Sequence, residues 1–133
     1  IYDFNHDDLY CGHQQSAAFL NDEEIRVSDL ALANQSTLVT GIPAKSNYSD
    51  EEFKNMILDF QNWKKIRMIG SAAMAAAYVA SGKAETYKEN GIFLWDIAAG
   101  AAIVLAAGGS ISIDNLQSDY RVDAKFTNNH LEH

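Results

Sequence analysis

The sequence predicts an α/β fold in which short strands alternate with buried helices, and two observations support this prediction. After Asn34, short apolar runs rich in β-branched residues alternate with longer segments that have helical spacing or are rich in alanine. Glycine closes both alanine-rich segments, as it commonly does at the C-terminus of a helix. A regular alternation of strand and helix is typical of a sheet covered by helices.

The first 34 residues have a different texture. Short strand-like runs are separated there by turn-forming clusters at 5–8 and 21–23, a pattern that predicts antiparallel strands. We therefore interpret 1–34 as the end of an N-terminal antiparallel sheet region and 35–130 as a C-terminal α/β domain. The final residues, 131–133, resemble the remnant of a cloning tag.

Local patterns define each element of the second part. Residues 36–41 form an apolar, β-branched run that suits a buried strand. Ser49 and Glu52 have the spacing of a capping box, which marks the start of a helix. That helix has apolar residues at helical spacing on one face, namely Phe53, Met56, Ile57 and Phe60. Further strands are predicted over 66–69, 85–89, 111–113 and 120–126, and buried helices over 73–80 and 96–107.

Composition narrows the classes of partner and compartment. The chain has 133 residues and a formal net charge of −8. Nucleic acids and anionic membranes bind basic surfaces, so neither is expected as a partner. The single cysteine, Cys11, excludes an internal disulfide and favours a reducing, cytoplasmic location. The apolar runs are too weak and too often interrupted by glycine to predict a membrane span.

Two carboxylates stand near the start of the last buried helix. Glu89 ends a predicted strand, a loop follows, and Asp96 begins the helix after Trp95. We expect both side chains on the same side of the sheet. An Asp in this position is often only an N-cap, but a carboxylate fixed beside a rigid Trp also suits a hard cation such as Mg²⁺. The residues alone leave both interpretations open.

Two further patterns have a structural and a chemical interpretation. Gly70, Ser71 and Ala72 form a turn into a helix, whose N-terminal N–H groups can bind an anion or a hydroxyl. Ser71 could equally serve only as the N-cap. Cys11 and His13 share one face of a strand, like a nucleophile and its base, but no third group is evident that would orient the histidine.

An ordered set of motifs resembles the inositol monophosphatase family. The most specific of them is Trp-Asp-x-Ala-Ala-Gly at 95–100. The others are Arg-x-x-Gly-Ser-Ala-Ala at 67–73, Ala-Tyr-Val-Ala-x-Gly at 77–82, Tyr-x-Glu at 87–89 and Ala-Gly-Gly at 107–109. The resemblance implies a layered α/β/α/β/α fold and a magnesium-dependent phosphomonoesterase in which metal-activated water attacks the phosphate. It also implies a homo-dimer, inhibition by lithium and a small-molecule inositol or sugar phosphate as substrate.

The resemblance assigns roles to individual residues. It implies that Asp96 is a metal ligand and that Glu89 binds a substrate hydroxyl. Gly70, Ser71 and Ala72 are expected to contact the sugar or inositol ring. Glu85 stands where the family usually has Asp, and we expect this substitution to be structural.

The family's Asp-x-x-Asp-Gly-Thr element and a further metal-binding Glu do not occur in these residues. We therefore expect the chain to be the C-terminal part of a longer enzyme whose water-activating groups lie before Ile1. Alone it should be inactive and should bind Mg²⁺ weakly, because one carboxylate supplies too few oxygen ligands. The alternatives are a related sugar, 3'(2')-nucleotide or histidinol phosphatase, or a non-catalytic α/β binding or oligomerisation module. The encoded sequence before Ile1 would discriminate between them.

Overall fold

The computed structural model describes residues 1–132, and within them it contains two β-sheets. His133, part of the predicted tag remnant, lies outside the described residues. The first sheet is antiparallel, with its strands in sequence order: β1 (Tyr2–Asp3), β2 (Asp8–Gly12), β3 (Ala18–Leu20) and β4 (Glu23–Ile25). A 3₁₀-helix over Ala33–Gln35 leads into the second sheet.

The second sheet is mixed and has the strand order β6-β5-β7-β9-β8. Its strands β6, β5 and β7 are parallel, and β9 pairs antiparallel with β7 and β8. The elements in chain order are β5 (Thr37–Thr40), α1 (Asp50–Phe60), β6 (Lys65–Met68), α2 (Ala72–Ala80), β7 (Thr86–Phe93), α3 (Leu94–Ala106), β8 (Ser110–Asp114) and β9 (Arg121–Thr127). None of the helices within 1–132 combines the length and apolarity needed to cross a bilayer.

The elements stack in layers. Helices α2 and α3 pack against each other and lie between the two sheets, α3 touching β2 and β3 on one side and β7, β8 and β9 on the other. Val39, Tyr87 and Phe126 point from the second sheet into this shared core. Leu38 and Thr40 alternate with Val39 and face α1 on the outer side of the sheet. The prediction of a layered α/β fold is confirmed.

The predicted capping box at the start of α1 is present. The Ser49 hydroxyl accepts a hydrogen bond from the Glu52 backbone N–H, and the Ser49 N–H donates to Glu52 Oε2 over 2.7 Å. The predicted packing face is only partly correct. Met56 and Phe60 face the sheet, whereas Phe53 and Ile57 are 39% and 55% exposed.

The prediction of a loop between Glu89 and Trp95 is wrong. β7 continues through Phe93, and the Asn-Gly pair forms a β-bulge instead of a turn. Gly91 has a positive φ of 73°, and its N–H donates to the carboxylate of Asp123 on β9 over 3.0 Å. A tertiary contact therefore holds in the sheet a dipeptide that locally favours a loop.

Asp96 is not the N-cap of α3. The helix begins at Leu94, and Phe93 occupies the cap position without a side-chain hydrogen bond. The Leu94 N–H donates instead to the backbone carbonyl of Tyr120 over 3.0 Å. Because another chain segment satisfies this first N–H, the helix starts earlier than the sequence predicts and leaves the Asp96 carboxylate free of a capping role.

Glu85 joins the two parts of the chain. Its buried carboxylate accepts hydrogen bonds from the Ser28 hydroxyl (2.9 Å) and from the Thr37 backbone N–H (2.6 Å). Its backbone carbonyl accepts the Asn128 N–H. These contacts account structurally for an acidic side chain at this position.

The contact between α2 and α3 depends on a missing side chain. A Cβ added at Gly100 would lie 2.4 Å from the Cβ of Ala76. Real Cβ atoms do not approach so closely, so only glycine allows these two helices their present separation.

We predict that Gly100→Ala lowers the free energy of unfolding by about 1–3 kcal/mol, because overpacking costs that much in a dense core. Helix propensity alone would favour the alanine by about 1 kcal/mol, so a loss of stability isolates the clash. Urea unfolding is the measurement. The control is Ala99→Gly on the exposed face of α3, which should lose about 1 kcal/mol through propensity. Unchanged or higher stability in Gly100→Ala would contradict the packing argument.

Candidate active site

The end of β5, the start of α2, the end of β7 and the start of α3 meet at one open cleft of about 650 Å³. It contains every candidate residue predicted from the sequence, namely Gly70, Ser71, Ala72, Glu89 and Asp96. Helices that follow parallel strands begin at the same edge of the sheet, which brings residues distant in sequence to a common site. The roles assigned to these residues remain predictions.

Glu89 is a buried carboxylate with one fixed oxygen. The Tyr87 hydroxyl donates a hydrogen bond to its Oε2 over 2.8 Å, and the residue is 8% exposed. No hydrogen bond to Oε1 is present within residues 1–132. A Cβ at Gly41 would lie 2.9 Å from that oxygen, so glycine at the end of β5 leaves room for the carboxylate.

The surroundings favour the protonated form of Glu89. Burial raises the pKa of the carboxyl above its usual range, and the negative charge of Asp96 raises it further. The hydrogen bond from Tyr87 offsets part of this by lowering the pKa. Burial also raises the pKa of the Tyr87 hydroxyl far above its ordinary value, so this group remains a neutral donor.

Asp96 lies in the first turn of α3 and is exposed to the cleft. A carboxylate that faces an open cleft is a suitable oxygen ligand for a hard cation such as Mg²⁺. Within residues 1–132 no group of three or more His, Cys, Asp or Glu side chains is arranged to hold a metal ion. The described residues therefore fit a metal only in part, with the Asp96 carboxylate as one candidate oxygen ligand.

Ser71 combines the two roles that its sequence pattern allowed. Its hydroxyl oxygen accepts the Met74 N–H over 3.2 Å as the N-cap of α2. An accepting hydroxyl still has its own proton to donate, and Ser71 lines the cleft. Gly70 has a positive φ of 78°, and no atom lies within 4 Å of the place where its Cβ would be. The turn therefore leaves open space beside the Ser71 hydroxyl.

Sequence reasoning missed two supports of the site. Tyr87 precedes Glu89 by two residues on one strand, so their side chains share a face, and the period of the strand could have revealed the pair. Gly41 could not be recognised as the residue that makes room for the carboxylate, because the contact joins two strands. Cys11 and His13 do not line the cleft, and Nδ1 of the histidine accepts the Gln15 N–H in a local turn.

Comparison with known proteins places these motifs in a defined group. A sequence model described as the inositol monophosphatase family matches residues 1–125. A Nus factor SuhB from Xylella fastidiosa is 36% identical over 112 residues, which cover 84% of this chain and 41% of the relative. An inositol-1-monophosphatase from Mesorhizobium japonicum is 32% identical over 116 residues, with coverage of 84% and 42%.

A solved structure shares the fold. The inositol monophosphatase from Anabaena superposes with a TM-score of 0.83 at 33% sequence identity, covering 96% of this chain and 52% of that one. The chain thus spans about half the length of the proteins that it matches.

We predict that Glu89→Gln becomes more stable relative to the wild type as pH rises from 4 to 7.5. A carboxyl whose pKa is raised in the folded state binds more protons there than in the unfolded chain, so its contribution to stability falls as pH rises through that interval. The amide of glutamine does not titrate and still pairs with Tyr87. Urea unfolding in the presence of a chelator, at both pH values, measures the difference.

The matched control is Glu23→Gln, at an exposed position in β4, which should show no such dependence on pH. A constant stability difference between Glu89→Gln and the wild type across this pH range would show that burial does not perturb Glu89.

Proposed function

Because this chain belongs to the inositol monophosphatase family, we propose that it forms the substrate-binding side of a magnesium-dependent phosphomonoesterase site. The substrate would be an inositol phosphate or a similar small phosphate ester. The observation that supports this most is the common cleft, which contains Asp96, Glu89 and the 70–72 turn, all of them at motif positions. The aligned residues are 42% of the inositol-1-monophosphatase relative, so the proposal concerns the activity of a whole enzyme.

Asp96 would contribute one carboxylate ligand to the metal. Bound Mg²⁺ supplies charge that polarises the phosphate and activates water. A hard cation requires about six oxygen ligands, so most of the others would come from water, from substrate and from outside residues 1–132. The exposed carboxylate at the start of α3 can reach such an ion without first giving up a hydrogen bond within the described residues.

Glu89 and Ser71 would orient the alcohol part of the ester. Oε1 of Glu89, which has no hydrogen bond within residues 1–132, can accept one from a substrate hydroxyl, while Tyr87 fixes the other oxygen. The Ser71 hydroxyl can donate to a ring oxygen from the opposite wall of the cleft. A donor and an acceptor at fixed positions recognise a polyol better than a simple alkyl phosphate, because an unmatched buried polar group is costly.

Related sugar, 3'(2')-nucleotide and histidinol phosphatases remain alternatives, since the metal chemistry at Asp96 would be the same. A non-catalytic binding or oligomerisation module is the alternative from another class. We also propose a homo-dimer, lithium sensitivity and a cytoplasmic location, all by resemblance to the family. A substrate panel on an enzyme of full family length would separate the phosphatases.

We predict that the purified 133-residue chain releases no phosphate from inositol 1-phosphate above background when Mg²⁺ is added. Its Mg²⁺ affinity should be weak, with a Kd of about 1 mM or more, because Asp96 supplies a single ligand. Asp96→Asn should abolish the measurable binding in calorimetry, whereas Asp29→Asn in an exposed loop should not. Clear magnesium-dependent release of phosphate by the wild-type chain would refute the proposed incompleteness of the site.

We predict that Glu89→Gln weakens the binding of myo-inositol roughly tenfold, because an amide NH₂ group replaces the oxygen that would accept the hydrogen bond from the ligand hydroxyl. NMR titration of backbone amides around 70–72 and 89 reports the affinity and the location together. Glu23→Gln again serves as the control and should bind like the wild type. Equal affinity in Glu89→Gln and the wild type would remove Glu89 from the proposed recognition of hydroxyls.

A further inference from the structure

The chain has a single Asn-Gly dipeptide, Asn90 and Gly91, and it forms the β-bulge of β7. Asparagine is a chemically labile residue. It is most labile before glycine, because the missing side chain lets the glycine backbone nitrogen approach the side-chain carbonyl carbon of the asparagine. The dipeptide lies between Glu89 and Asp96 in the sequence, so a covalent change there would alter the segment that joins these two carboxylates.

The side chain of Asn90 is open to such a change. The residue is exposed and lines a groove of about 260 Å³ between β7 and α1. Its side-chain amide makes no hydrogen bond within residues 1–132. Gly91 has a positive φ of 73°, and a Cβ there would meet no atom within 4 Å. The backbone conformation of the bulge, and not a lack of space, therefore favours glycine after this asparagine.

Three side chains hold the peptide group between Asn90 and Gly91. The Gly91 N–H donates a hydrogen bond to Oδ1 of Asp123 over 3.0 Å, and Arg121 donates to the Gly91 carbonyl over 2.7 Å. The Tyr48 hydroxyl donates to the Asn90 carbonyl. The backbone nitrogen that would attack the asparagine side chain is thus bound to a carboxylate, and its neighbours are fixed on both sides.

We propose that Asn90 is a latent site of spontaneous deamidation, which the hydrogen bond from Gly91 to Asp123 suppresses in the folded chain. In the reaction the Gly91 nitrogen loses its proton to hydroxide and attacks Cγ of Asn90. The bond from Cγ to the side-chain nitrogen breaks, and that nitrogen takes up a proton and leaves as ammonia. Water then opens the resulting succinimide ring at either carbonyl, which gives aspartate or isoaspartate at position 90.

The Asp123 carboxylate opposes the first step of this reaction. A charged acceptor stabilises the Gly91 N–H, so removal of its proton is less favourable than in water. The same hydrogen bond resists the rotation that would turn the nitrogen toward Cγ of Asn90. The bulge must therefore open before the side chain can react, and the rate follows the fraction of molecules in which it is open.

Either product would disturb β7. Isoaspartate carries the main chain through the former side chain and lengthens the strand by one atom before α3 begins. Both products place a carboxylate at position 90, opposite Asp123 in the ladder, and like charges at paired positions destabilise antiparallel strands. The reaction needs only water, so the proposal is independent of the metal and of the substrate in the proposed function.

The test compares the folded 133-residue chain with the same chain unfolded in guanidinium chloride, both at mildly alkaline pH. Mass spectrometry of the tryptic peptide that contains 90–91 measures the conversion of amide to acid. We expect deamidation of Asn90 to be at least about tenfold slower in the folded chain, and the Gly91 amide to show similar protection from hydrogen exchange. Equal rates in both states, or unprotected exchange at Gly91, would overturn the proposal.

Substitutions at Asp123 identify the protecting group. Folded Asp123→Ala should deamidate at Asn90 about tenfold faster than the wild type, because the acceptor is lost. Asp123→Asn keeps an oxygen that can accept the Gly91 N–H and should remain close to the wild type. The matched control is Asp114→Ala, which removes an exposed carboxylate opposite Asp123 on β8 and should not change the rate. The wild-type rate in Asp123→Ala, or equal acceleration in Asp114→Ala, would contradict the role of Asp123.

Discussion

The close contact between α2 and α3 is the constraint on which the cleft depends. Gly100 lets α3 approach Ala76 of α2 at a distance that no larger residue would allow. Both helices begin at the cleft, so their separation sets the distance between the Ser71 turn and Asp96. The two sheets close over the pair from opposite sides and bury it. Gly100 and Ala76, both buried, therefore help to set the positions of Ser71 and Asp96, which are exposed at the cleft.

Glu89 shows how the fold accepts an unfavourable group at the site. Burial makes the Glu89 carboxyl costly to ionise, and the negative charge of nearby Asp96 adds repulsion. Tyr87 offsets part of this cost through its hydrogen bond. Tyr120, whose ring lies beside that of Trp95, has a second unfavourable feature in its left-handed backbone conformation. The Glu89 carboxyl lies in the cleft, and perturbed titratable groups in clefts are common at functional sites.

Several features could be predicted from local patterns because their causes are local. The capping box of Ser49 and Glu52 depends on a fixed spacing of three residues, and it forms as expected. Glu85 was expected to be structural, and its carboxylate does bind the Ser28 hydroxyl and the Thr37 N–H. The loop predicted after Glu89 was wrong, because the Asp123 carboxylate accepts the Gly91 N–H and stabilises a β-bulge at 90–91.

The sequence by itself determined the alternation of strands and helices, the family resemblance and the identity of the candidate residues, because periodicity and motif spacing are properties of the linear chain. Only the tertiary structure decided that α3 begins at Leu94 and that Gly41 makes room for the Glu89 carboxylate. It also decided that the rings of Trp95 and Tyr120 lie side by side, with their centroids 6.0 Å apart. These outcomes depend on contacts between residues far apart in sequence, for which local preference carries no signal. Glu89 and Asp96, chosen from the sequence as a pair of carboxylates, therefore lie in one cleft with different surroundings, one buried and hydrogen-bonded and the other exposed at a helix start.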